Sequence, residues 1–154
     1  MPNHESISKN ISITLYEAYK TYNKRLSSLF SKEGYGEITA NSCQYLHMVS
    51  VLNQYENSAT ITGLSNRLGV KKSSVIQMVN NLLKSGYLTK KNKDADRRGF
   101  ALELTEKGLE ILRHEEVFSN NFLNYFCDTL SPEEMQALES IAKKISAKIH
   151  KETI

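Results

Sequence analysis

The 154-residue chain is 40% apolar and 24% charged, an ordinary balance for a globular protein with one sizeable core. No apolar run approaches the ~20 residues of a membrane span, and the opening MPNHESISKN has no apolar signal core, so a cytoplasmic protein without membrane contact is expected. The net charge of +3 is unevenly spread: Thr62 to Gly99 holds nine Lys/Arg against two Asp, or +7, which leaves the remainder at −4. A basic centre in an acidic remainder is the electrostatic footprint of a polyanion-binding module.

Apolar spacing predicts a long first helix over residues 6–31, carried by Ile7, Ile11, Leu15, Ala18, Tyr22 and Leu29. KEGYGE breaks it. Thr39 or Asn41 can cap a second helix with Tyr45, Leu46, Val49 and Leu52 on its inner face, ending near Gln54 to Ser58. Ile61, Leu64 and Leu68 mark a short third helix. Gly69 then suits a turn needing positive φ, with Val70 plugging the corner. The fourth helix buries Val75, Met78, Val79 and Leu82, turns Ser73, Ser74, Ile76, Gln77, Asn80, Asn81 and Lys84 outward, and stops at Gly86. Two short helices joined by a glycine turn, the second with a polar outer face, match helix-turn-helix chemistry.

Tyr87 to Lys91 and Phe100 to Leu104 read as strands, Phe100, Leu102 and Leu104 alternating with Ala101 and Glu103. The intervening KKNKDADRRGF is too polar for a core. Thr105 can cap a fifth helix reaching about Cys127. Ser131-Pro132-Glu133-Glu134 announces a sixth, with a capping Ser, Pro at the first helical position and Glu three residues after the cap; Leu138, Ile141, Ile145 and Ile149 continue its apolar row. The fold class is therefore mainly α with a small β-wing.

In order and in residues, LSNRLGVKKSSVIQMVNNLLKSGYL and DADRRGFALELTEKG resemble the multiple-antibiotic-resistance regulator (MarR) family of winged-helix transcription factors. The match spans Ile61 to Gly108, with Asp96-Arg97-Arg98 at the family's Asp-x-Arg wing and Leu104-Thr105-Glu106-Lys107-Gly108 at its Leu-Thr-x-x-Gly. The resemblance implies one domain over 1–154, with 38–108 as a winged helix-turn-helix DNA-binding lobe. It further implies that 6–31 and 109–152 are dimerisation helices, and that a homodimer straddles a pseudo-palindromic operator in double-stranded DNA. Repression, relieved by a small-molecule effector, is the expected mode.

The mechanics follow from residue chemistry. An α-helix fits the major groove, where Ser73, Ser74, Gln77, Asn80 and Asn81 are candidates for base edges and Ile76 for a thymine methyl. Lys71, Lys72 and Lys84 are expected at phosphates. Lys90, Lys91 and Lys93 supply attraction, Arg98 probes the minor groove with Arg97 beside it, and Asp96 braces a wing guanidinium. Lys71 stands where the family often places a capping Ser or Thr, so Ser73 is expected to cap the fourth helix instead. Ile76-Gln77 also replaces a frequent Thr-Arg, so operator preference should differ from that of close family members.

Tyr16, Tyr19, Tyr22 and Tyr45 are candidates for an effector pocket, against a plain core role. Cys43 and Cys127 have no CxxC or clustered histidine, which argues against a disulfide framework or zinc finger, and both are expected as buried structural thiols. Two alternatives stay open: a winged helix used only for protein contact, and a zinc-sensing member of the same family using Cys43, His47, His114 and Glu115. No cofactor and no resident metal are expected. With no phosphate loop, nucleophile motif or metal-spaced cluster in the chain, the sequence does not read as an enzyme.

Overall fold

A computed structural model describes residues 4–92 and 100–152. The order is α1 (His4–Lys32), α2 (Ala40–Tyr55), α3 (Ile61–Leu68), α4 (Lys72–Lys84), β1 (Leu88–Asn92), β2 (Phe100–Leu104), α5 (Glu106–Cys127) and α6 (Pro132–Glu152). This is the mainly helical winged-helix class expected, with a two-stranded antiparallel wing in the register Leu88↔Leu104 to Asn92↔Phe100. The chain divides into two compact units, residues 1–116 and 117–154, with the division inside α5.

In the first unit, α1 contributes Leu26 and Phe30 to the core, while Ile7, Ile11 and Leu15 are exposed. The apolar row expected to face inward is therefore external in the single chain. The residues that anchor α1 lie one turn apart near its C-terminal end, where it packs on α2. Thr39, not Asn41, caps α2. Its hydroxyl accepts the Ser42 N–H at 3.2 Å, and Ser42 Oγ accepts the Thr39 N–H at 2.8 Å, a reciprocal capping box. Cys43, Tyr45, Leu46, Val49 and Leu52 of α2 form the centre of the core with Leu64, Val75, Val79, Leu82 and Leu102.

A side chain the sequence reading passed over ties α2 to the wing. Asn53 donates from Nδ2 to the Leu102 carbonyl at 2.9 Å and accepts the Ala59 N–H at 2.8 Å. Ala59 in turn pairs with Leu102, whose N–H reaches the Ala59 carbonyl at 2.8 Å. One amide thus satisfies two backbone groups beside the buried strand. Ala101 is buried as well as Leu102, so the simple alternation expected along β2 breaks at its centre.

Three hydrogen bonds and one close approach explain the Leu-Thr-x-x-Gly motif. Thr105 Oγ1 donates to the Gly86 carbonyl at 2.7 Å and accepts the Gly108 N–H at 3.1 Å, capping α5 while holding the end of α4. The Thr105 N–H reaches the Tyr87 carbonyl at 3.1 Å. A Cβ on Gly108 would stand 2.3 Å from that same Tyr87 oxygen, closer than side-chain carbons approach backbone. Only glycine fits there.

In the second unit, Ser131 caps α6 as expected: its N–H reaches Glu134 Oε2 at 2.8 Å, and its hydroxyl accepts the Glu134 N–H at 3.3 Å. Along the last turns of α5, Phe118 stacks on Phe122 with centroids 5.8 Å apart and Phe122 meets Phe126 edge to face at 5.0 Å, Phe122 being buried. Leu138, Ile141 and Ile145 lie exposed along α6. Among the described residues no helix is long and apolar enough to cross a membrane.

Candidate nucleic-acid interface

The helix-turn-helix is assembled from caps and one left-handed residue. Thr60 Oγ1 accepts the Gly63 N–H at 3.0 Å to start α3. Gly69, at φ 65°, ends it. Val70 does not plug the corner, being 36% exposed. Its backbone fixes the turn instead, the N–H reaching the Ser65 carbonyl at 3.2 Å and the carbonyl accepting from Ser65 Oγ at 2.7 Å.

Lys71 occupies the N-cap of α4 and makes no side-chain cap, so the expectation that Ser73 would cap is corrected. Ser73 lies inside the first turn, where its side chain points outward. The leading N–H groups of an uncapped helix are open to an anion, and the helix dipole adds positive potential there. Lys71 and Lys72, both exposed, reinforce it. At the other end, Gly86 at φ 78° closes a Schellman motif: its N–H reaches the Leu83 carbonyl at 3.1 Å and that of Tyr87 the Leu82 carbonyl at 2.9 Å.

Val75, Val79 and Leu82 are buried and Met78 half-buried, while Ser73, Ser74, Ile76, Gln77, Asn80, Asn81 and Lys84 are all exposed, as the spacing predicted. Ile76 is 47% exposed and so is not part of the core within the chain. At about 100° per residue the outer face subdivides. Ser73, Gln77 and Asn80 run along the midline opposite Val75 and Val79. Ile76 lies on one flank, and Ser74 and Asn81 lie on the other.

The Asn81 flank borders a cavity of about 530 Å³ between the start of α2 and the end of α4, lined in part by Glu37, Thr39, Ser42, Asn81, Lys84 and Tyr87. One wall is a polar clasp that sequence reasoning missed. Tyr87, fully buried, donates from its phenol to Glu37 Oε1 at 2.5 Å. Lys107 Nζ pairs with the same carboxylate at 3.2 Å, donates to the Ser85 carbonyl at 3.1 Å, and sits 4.1 Å above the Tyr87 ring. The hydrogen bond from Tyr87 is the main reason Glu37's carboxyl is held below its ordinary value, with Lys107 assisting. Burial, then the bond to Glu37, pushes the Tyr87 phenol up. The C-terminal end of the outward-facing helix is thereby fastened to the approach to α2 and to the first turn of α5.

On the wing, Lys90 Nζ stands 4.3 Å from the Phe100 ring centroid, and Lys91 pairs with Glu103 at 2.9 Å across the strands. Arg67 is paired with Glu56, through Nε at 3.0 Å, and so offers less free charge than its place in the basic segment suggested. The remaining wing-tip candidates, Lys93, Asp96, Arg97 and Arg98, lie outside the described residues.

The four tyrosines expected around an effector do not share one wall. Tyr45 is buried in the α2 core, Tyr22 donates to Glu115, and Tyr16 and Tyr19 are 65% and 56% exposed. Cys43 is buried, and that burial, with the Glu115 carboxylate as a lesser cause, pushes its thiol up to about 12. Cys127 is only half-buried, unlike the expectation. His47 is exposed and His114 lies against the Tyr35 ring at 5.7 Å. Among the described residues, no group of three or more His, Cys, Asp or Glu is placed to hold a metal.

The iron dependent repressor N-terminal DNA binding domain model matches residues 37–95, from the approach to α2 into the wing. The chain is 29% identical over 109 residues to the transcriptional repressor MprA of Escherichia coli, covering 71% of this chain. That alignment spans 62% of the length of MprA. Among solved structures, FabT of Streptococcus pneumoniae in complex with DNA aligns with a TM-score of 0.77 at 21% identity, covering 94% of this chain and 98% of that one. The reduced form of MarR from Escherichia coli aligns with a TM-score of 0.71 at 20% identity, over 87% and 94%.

Proposed function

We infer that this chain, which has the winged-helix fold of the MarR family, is a DNA-binding transcriptional regulator that lays α4 in the major groove. The observation that carries the reading is the face of α4 itself. Among the described residues its outer side chains from Ser73 to Lys84 are exposed and, Ile76 apart, polar; the helix has no side-chain cap at its N-terminus, and Lys71 and Lys72 stand there. An interior-facing helix would not present such a face. Phosphates would engage Lys71, Lys72, Lys84 and the open N–H groups, and base edges the midline residues. Lys90 and Lys91 stand on the adjacent wing for the neighbouring backbone, and Lys93, Asp96, Arg97 and Arg98 keep the roles proposed from their sequence.

Dimerisation is part of the same reading. Ile7, Ile11 and Leu15 on α1, and separately Leu138, Ile141 and Ile145 on α6, are exposed apolar rows. Each side chain is about half exposed, so covering it by a second copy is worth roughly 1 kcal/mol, about half the value of full burial. Two recognition helices from a symmetric dimer would require an operator with two related half-sites. Repression follows if the operator overlaps a promoter. An effector would act by favouring a dimer geometry that cannot span both half-sites. The cavity beside Asn81 and Lys84 is one place from which an occupant would reach the DNA-facing side of α4. A cytoplasmic location follows from this role, and the reading assigns no catalytic step.

The test is binding to operator duplexes selected from genomic DNA, with Lys71→Ala and Lys72→Ala variants alongside. Wild type should bind tightly, and each variant should lose affinity uniformly across sequences while its salt slope falls by about one. Retained fold with no affinity for any duplex would replace this reading with a protein-docking winged helix.

A further inference from the structure

Which bases the α4 face selects is a separate question, and its answer rests on the DNA-binding reading above. Helix α4 carries no arginine and no carboxylate anywhere in Lys72–Lys84. Guanine in the major groove offers two acceptors, N7 and O6, most often read by a forked arginine, while the cytosine amino group is read by a carboxylate. Neither reader is present. Lysine is the other guanine reader; Lys72 and Lys84 stand at the two ends of the helix, Lys84 one turn beyond Asn80 on the same side, so neither lies within the Ser73–Asn80 span.

The midline instead offers two carboxamides and a hydroxyl. Ser73 is seven residues from Asn80, a span of about 10 Å along the axis at 1.5 Å per residue. That length matches about three base-pair steps of 3.4 Å. The amides of Gln77 and Asn80 are exposed and have no hydrogen-bond partner among the described residues, so both are available outside the protein. A carboxamide offers one donor and one acceptor side by side, the complement of adenine N7 and N6. Ser73 reads either partner of a pair and discriminates little.

Ile76 completes the pattern. A lone exposed aliphatic is common on protein surfaces. This one adjoins Gln77 on the flank of a face that is otherwise polar, 47% exposed. Of the groups along the major-groove floor, the thymine C5 methyl is the one that rewards an aliphatic neighbour.

We propose that Ile76 and Gln77 are the specificity-determining pair of this chain, reading neighbouring A·T pairs at the core of each half-site. Gln77 takes an adenine edge and Ile76 the methyl of an adjacent thymine, with Asn80 extending adenine preference one step further. Asn81, turned toward the cavity flank, is left out of base reading.

The test begins with selection of bound duplexes from a random pool, using the full chain. Half-sites recovered should hold a core of about three A·T pairs, thymine neighbouring adenine. Each thymine of that core is then replaced by deoxyuridine, which deletes only the methyl. One replacement should weaken wild type roughly fourfold, the worth of one buried methyl group, and should leave an Ile76→Ala variant unchanged. Gln77→Arg should shift the selected core toward guanine. Because Ile76 and Gln77 are exposed, neither substitution disturbs the core, and the deoxyuridine series needs no variant at all.

A G·C core, or wild type indifferent to deoxyuridine at every position, would overturn the assignment while leaving DNA binding intact. A loss on deoxyuridine that is equal in Ile76→Ala would also overturn it. Absence of any duplex binding would overturn both this assignment and the reading beneath it.

Discussion

Gly108 shows how a single missing Cβ can hold a junction together. The strand-to-helix corner brings the Tyr87 carbonyl 2.3 Å from where that Cβ would stand, so Gly108→Ala must push α5 away from the end of α4. A loss of about 1–3 kcal/mol is expected from such overpacking, read as a lower urea midpoint. An unchanged midpoint would mean the corner yields freely. Cys43 illustrates the opposite case, a residue whose chemistry is suppressed by its surroundings. Burial pushes its thiol up to about 12, so it is almost wholly protonated at neutral pH. A thiol reagent should label the half-buried Cys127 first, with Cys43 slower by roughly a hundredfold or more in the native protein. Comparable rates would contradict the protection that burial gives Cys43.

At the scale of elements, helix limits were legible to within about two residues. The signals that mark them are local: a capping box at Thr39, glycines at positive φ at Gly69 and Gly86, and the Ser131 cap. What was illegible depends on partners distant in sequence. Leu26 and Phe30 are no more apolar than Ile7 and Ile11, and only the position of α2 decides which pair is buried. Asn53 borders a polar run in the sequence, and its partners come only from the loop and strand that return to it. The clasp of Glu37, Tyr87 and Lys107 joins three parts of the chain 50 and 70 residues apart, which no local spacing brings together.

That clasp carries a pH dependence. Tyr87's hydrogen bond favours the charged Glu37 carboxylate in the folded state. Its contribution is therefore complete above the ordinary carboxylate range and fades as pH falls through the lowered folded value. The urea-midpoint gap between wild type and Glu37→Gln should be widest near about pH 7 and close toward about pH 3. A gap that widened on acidification would contradict the clasp. On the wing, the Lys91–Glu103 pair is exposed and so weak enough to exchange for a phosphate. Glu103→Gln should raise duplex affinity, most visibly at low salt, and a decrease would show that the pair orients Lys91 productively.

For the whole molecule, the division of charge visible in the sequence is +7 between Thr62 and Gly99 against −4 elsewhere, and among the described residues the outer side chains of α4 within that segment are exposed. If a second copy covers the apolar rows exposed on α1 and on α6, as proposed, sedimentation at micromolar concentration should find a dimer. The central claim, a basic winged helix that engages duplex DNA through phosphates, is tested most directly by the salt dependence of binding to a labelled random duplex. The logarithm of the binding constant should fall steeply and linearly with the logarithm of salt, by about 0.9 for each phosphate engaged. Binding that is absent at low salt, or indifferent to salt, would contradict the account.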